Sequence, residues 1–116
     1  MIAEISVIPI WEGVYLASYV AKVVKIIDES GLDYKLNAMG TVVEGDSDRV
    51  FDLIKKCHNK MLELAQRVYT TVKIDERKDK KVKLIEQKVQ AVEKELGKCL
   101  KKWEDINEFW TYLWGV

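Results

Sequence analysis

The sequence predicts an α+β domain of element order βαββαβ, a ferredoxin-like sandwich, followed by a long additional C-terminal helix. Three observations carry this. The apolar period switches between 2 and about 3.6 along residues 2–74. Turn and capping residues (Gly31, Gly40, Asp46) stand at the switches. A run of apolar positions at 3,4 spacing then extends from Val82 to Leu113.

Residues 2–10 (IAEISVIPI) are β-rich and partly alternating, and Pro9 lies near the end, where a strand tolerates it. Residues 14–29 change period. Leu16, Tyr19, Val20, Val23, Val24 and Ile27 recur at helical spacing, and Gly31 follows as a stop. Residues 32–39 direct Leu32, Tyr34 and Leu36 inward, and 41–45 (TVVEG) form a second short strand joined near Met39–Gly40. Asp46-Ser47-Asp48 offers an N-cap to a helix whose apolar face is Val50, Phe51, Ile54, Cys57, Met61 and Leu64. VYTTVKI (68–74), rich in β-branched and aromatic residues, is the clearest strand. Two helices packed on one face of a four-stranded antiparallel sheet, the split βαβ arrangement, bury these faces most economically.

Residues 79–114 form one helical pattern, with ten apolar positions in heptad register. A single helix of that length would run roughly 50 Å, longer than a domain of this size is wide. Such a seam requires another helix or a groove. The whole chain reads as one domain that includes the end of this helix. Residues 96–116 read as an aromatic-rich extension of its last helix, carrying Trp103, Trp110 and Trp114.

The 116 residues carry 19 basic and 19 acidic side chains, a balance that argues against a general nucleic-acid binder. Charge is unevenly spread: residues 67–102 hold twelve basic and six acidic groups. Acids interleave with that basic stretch, so it reads first as a solvated face and only second as a phosphate or RNA site. No run of about 18 apolar residues is present to span a membrane, and the first ten residues lack the basic start of a signal peptide. An intracellular, cytoplasmic protein is expected.

No catalytic constellation is found: no Walker A loop, GxGxxG, HExxH or GxSxG occurs. Neighbours on a helix point about 100° apart, so Cys57 and His58 cannot pair locally; Cys57 is expected in the core and His58 on the polar edge. Asp46 and Asp48 read as capping residues. Cys57 and Cys99 form no CxxC pair and His58 is the lone histidine, so no metal site is expected and no cofactor is implied. The chain is expected not to be an enzyme.

Four segments resemble a known family: IAEISVIPI at the start, SYVAKVVKIIDESGLDYKLNAMGTVVEGD, KKCHNKMLE, and RVYTTVKIDERKDK. Together they are similar to the MTH1187/YkoF-like (UPF0045) thiamine-binding family, over about residues 1–95. The resemblance implies a ferredoxin-like fold, pairing of sheets between subunits, and a homotetramer built as a dimer of dimers. It also implies binding of thiamine or its hydroxymethylpyrimidine moiety without catalysis. Contacts carried over from the segments of closest resemblance are Ser18, Met39, Gly40, Thr41 and Thr71.

Two departures shape the expectation. Members of that family place a small polar stretch of the Gly-Thr-Ser-Thr-Ser kind between the first strand and helix. Here Trp11-Glu12-Gly13-Val14-Tyr15-Leu16-Ala17 stands in its place. Loss of hydroxyls at a helix start weakens a polar site and favours burial against protein. The chain also continues past the family's usual end. Trp11, Tyr15, Leu16, Leu96, Trp103, Ile106, Trp110, Leu113 and Trp114 are therefore expected at an interface. Packing on a sister subunit is the first reading. The rival is an acquired or engineered assembly module that has lost its ligand. Glu104, Asp105 and Glu108 oppose a membrane role for this end.

Overall fold

The computed structural model describes residues 1–79 and 84–101. The elements are β1 (Ile2–Pro9), α1 (Ala17–Glu29), β2 (Asp33–Asn37), β3 (Gly40–Glu44), α2 (Ser47–Leu64), β4 (Val68–Asp75) and α3 (Leu84–Leu96). The chain divides into two compact units, Met1–Ile85 and Glu86–Val116.

The first unit has the expected βαββαβ order. Its sheet is antiparallel with strand order β2-β3-β1-β4. Each βαβ unit is split by a strand inserted between its two members: β3 lies between β1 and β2, and β1 between β3 and β4. Alternation in β1 decides which residues meet the helices. Ala3, Ile5 and Val7 are buried, whereas Ile2, Glu4, Ser6 and Ile8 face the other way. In register with the buried set are Val43 and Thr41 on β3 and Ile74, Val72 and Thr70 on β4. Val23 and Ile27 of α1 and Val50, Leu53, Cys57 and Met61 of α2 complete the core.

Local chemistry explains the boundaries. Asp46 accepts a hydrogen bond from the Arg49 N–H at 3.1 Å and caps α2 as expected. Gly45 sits where a Cβ would lie 2.6 Å from a terminal carbon of buried Leu32, so any side chain there must displace Leu32. The helix expected from residue 14 begins only at Ala17. Trp11 and Gly13, at φ 66° and 88°, turn the preceding chain out of helical geometry. Leu36, expected inward, lies on the helix side of edge strand β2 yet is exposed.

The largest difference concerns the C-terminal helix. It is a thirteen-residue element rather than a continuous rod, for α3 ends at Leu96. Gly97 adopts φ 72°; its N–H bonds the Lys94 carbonyl and the Lys98 N–H bonds the Glu93 carbonyl. This is the Schellman pattern that ends a helix on a left-handed glycine. Apolar periodicity carried no information about that cap. Trp103, Ile106, Trp110, Leu113 and Trp114 lie outside the described residues.

Candidate functional site

The β1 register with β3 and β4 brings three connections to one end of the sheet. They are the β1–α1 loop (residues 10–16), the β2–β3 turn at Ala38–Met39, and the link from α2 to β4 (residues 65–67). The Ile10 N–H donates to the Arg67 carbonyl at 2.8 Å, tying the first connection to the third. The Arg67 guanidinium lies 5.5 Å from the centroid of the Trp11 ring, a cation–π contact. The Tyr19 hydroxyl donates to Glu12 at 3.1 Å. That carboxylate favours the protonated phenol and raises the Tyr19 pKa above its ordinary value, with burial adding to the shift.

This loop is organised but presents apolar surface. Trp11, Val14 and Tyr15 are 84%, 87% and 88% exposed, and Leu16 is half-buried. Leu16 occupies the N-cap position of α1 and has no side-chain acceptor to offer the first turn. Ser18 is in that turn and is exposed.

The sequence-predicted contacts separate into two groups. Thr41 pairs with Ile5, is buried, and points toward the helices. Ser18 belongs to the helical layer as well. Thr71 pairs with Ser6 and is exposed on the opposite face of the sheet. Gly40 is level with Ser6 on the other side of β1, and Met39 stands exposed at the adjoining turn. The strands thus bring Gly40 and Thr71 to one face, with Met39 at the turn beside Gly40, and keep Thr41 and Ser18 from it. A Cβ at Gly40 would approach the Ile5 carbonyl oxygen at 3.2 Å and Glu4 Cγ at 3.3 Å, so this residue keeps a notch open.

Several residues of this face escaped the sequence reading. Ser6 is the middle of the row Gly40–Ser6–Thr71. Beside it, Glu4 and Lys73 form an ion pair at 3.8 Å, and Ile8 and Tyr69 pair as exposed apolar neighbours. Their signal was the even-numbered half of the β1 alternation, which becomes a row only when the register is known. His58, expected on the polar edge, is half-buried, with Nδ1 2.7 Å from the Thr70 hydroxyl on β4. Cys57 is in the core as expected.

One further concavity, of ≈330 Å³, opens between the end of α1 and the start of α2. Leu32 and Leu53 line it with Arg49, Asp52 and Lys56. Its polar groups serve the fold: Arg49 Nη2 donates to the Ser30 carbonyl at 3.1 Å, and Lys56 pairs with Asp52 at 2.9 Å. None of the sequence-predicted contacts lies there. Among the described residues, no three His, Cys, Asp or Glu side chains gather as metal ligands.

Residues 3–93 match the family model described as "Thiamine-binding protein". The UPF0045 protein MJ1052 of Methanocaldococcus jannaschii is 40% identical over 92 residues, covering 79% of this chain and 91% of that protein. The UPF0045 protein YqgV of Bacillus subtilis is 37% identical over 101 residues, covering 82% and 96%. The crystal structure of MJ1052 superimposes with a TM-score of 0.73 at 41% identity, over 78% of this chain and 93% of that one. A Thermotoga maritima protein whose proposed role is thiamine biosynthesis or salvage shares the fold, with a TM-score of 0.69 at 24% identity over 78% and 96%. With the family model spanning both the strand row and the loop that borders it, the chain belongs to the UPF0045 family of thiamine-binding proteins.

Proposed function

We propose that this chain is a non-enzymatic, homo-oligomeric binding protein for thiamine or its hydroxymethylpyrimidine moiety. One observation carries the reading: the row Gly40–Ser6–Thr71 across the sheet, bordered by the apolar pair Ile8–Tyr69. The glycine leaves room for a flat ring, and Ser6 and Thr71 supply hydroxyls that both donate and accept. An aminopyrimidine needs that pairing, because it presents ring nitrogens and an exocyclic amine side by side. Tyr69 offers an aromatic surface for the ring.

A site on one sheet face holds a small ligand well only when something encloses it. A second subunit laid against this face would do so while covering Ile8 and Tyr69. The ligand and the oligomer, a dimer of dimers in this reading, are therefore linked.

Calorimetric titration of the purified protein with thiamine and with hydroxymethylpyrimidine tests the proposal. Binding of either, weakened about tenfold by Thr71→Val through loss of a hydrogen bond, supports it. Absence of heat with both ligands overturns it. The rival reading, an assembly module whose ligand site has lapsed, draws on the exposed Trp11, Val14 and Tyr15 in place of a hydroxyl-rich loop. It predicts an oligomer without ligand heat.

A further inference from the structure

Helix α3 carries an apolar stripe of Ile85, Val89, Val92 and Leu96, spaced 4, 3 and 4 residues apart. Val89, Val92 and Leu96 are 38%, 51% and 58% exposed, an unusual load for one face of a thirteen-residue helix. In heptad terms Val89 and Leu96 hold position a, and Ile85 and Val92 hold position d. The flanking positions are Glu86 and Glu93 at e, and Lys88 and Glu95 at g.

These flanks discriminate between partners. In a parallel, in-register pair, position g of one helix meets the next e of the other. Lys88 then meets Glu93 of the second copy twice by symmetry, and in sequence Lys81 and Glu86 repeat the same match. In an antiparallel pair e meets e and g meets g. That places Lys88 beside Glu95 but also Glu86 beside Glu93, so like charges face each other only in the antiparallel pair.

We propose that the α3 stripe is the docking surface for α3 of a second copy of this chain, parallel and in register. Two heptads are too short to hold two chains alone. The pairing therefore rests on the oligomer proposed above, in which other contacts raise the effective concentration of one α3 for the next. It deepens that reading by naming a surface and an orientation.

Cys99 makes the test internal to the chain. It is exposed two residues beyond the Gly97 cap, and a parallel pair brings the two Cys99 side chains to the same end. An antiparallel pair separates them by about the length of α3, roughly 20 Å. Cys57 is buried and does not compete. The full-length chain is oxidised briefly with copper–phenanthroline and resolved on a non-reducing gel, alongside Val92→Cys in a Cys99→Ser background.

Disulfide-linked dimers from both proteins are expected, because facing d positions converge in a parallel pair. Lys88→Glu should cut the Val92→Cys yield severalfold, and Lys88→Glu with Glu93→Lys should restore it. A chain that sediments as an oligomer yet gives no Val92→Cys dimer overturns the α3 pairing while the oligomer stands. Cross-linking through Cys99 alone, with no Val92→Cys dimer, overturns the pairing as well. A monomer at micromolar concentration overturns both.

Discussion

Cys57 illustrates how burial alone reshapes a side chain. Packed between α2 and the sheet, its thiol loses the water that would solvate a thiolate, and its pKa moves from 9.0 up to about 11. The folded state therefore holds this proton more tightly than the unfolded state does. Its contribution to stability is full below pH 9 and is lost as pH rises through the interval from 9 to 11. Urea unfolding at pH 8 and pH 10.5 should show a larger fall in stability for the parent chain than for Cys57→Ala. Equal falls would show that the thiol does not titrate with folding. Trp11 is the opposite kind of residue: exposed, at φ 66°, and held by Arg67 instead of by the core. Its backbone conformation costs a non-glycine residue about 1–2 kcal/mol, and nothing in its sequence neighbourhood announces it.

At the scale of elements, the two helices of the first unit begin in different ways. Asp46 caps α2 with its side chain, and Asp48 in the first turn adds a favourable charge at the positive end of the helix. Leu16 gives α1 neither device. Asp46→Ala should therefore cost about 1 kcal/mol of unfolding free energy, read from the denaturant midpoint at unchanged slope. A change below about 0.3 kcal/mol would mean that another group satisfies the first-turn N–H donors of α2. Helix α3 shows termination instead. Lysine, glutamate and leucine are all good helix formers on either side of residue 97, and the stop comes from the backbone bonds that a left-handed glycine permits.

At the scale of the whole molecule, the buried hydrophobic core among the described residues lies between Ala3 and Ala65, inside the first unit. A chain ending at Gly97 should consequently keep the βαββαβ fold, with its sheet signal in far-UV circular dichroism. Its mass by light scattering should fall by a discrete step if, in the oligomer proposed above, the aromatic residues from Trp103 to Trp114 are buried between subunits. Unfolding of the truncated chain would place those residues in the domain's own core. An unchanged mass would remove them from the assembly contacts.

Element order, the α2 cap, the core position of Cys57 and the family are all legible in the residues alone. Each depends on local periodicity, on capping chemistry within four residues, or on motifs that survive in linear order. Thr41 and Thr71 show where that stops. Both are strand threonines followed by a valine, and only the pairing of Thr41 with Ile5 and of Thr71 with Ser6 sends them to opposite faces. The same register brings Ser6 between Gly40 and Thr71 and sets His58 against Thr70, a contact across twelve residues. These placements depend on strand register, because a strand's side chains alternate with period two and a shift of one residue would exchange the faces.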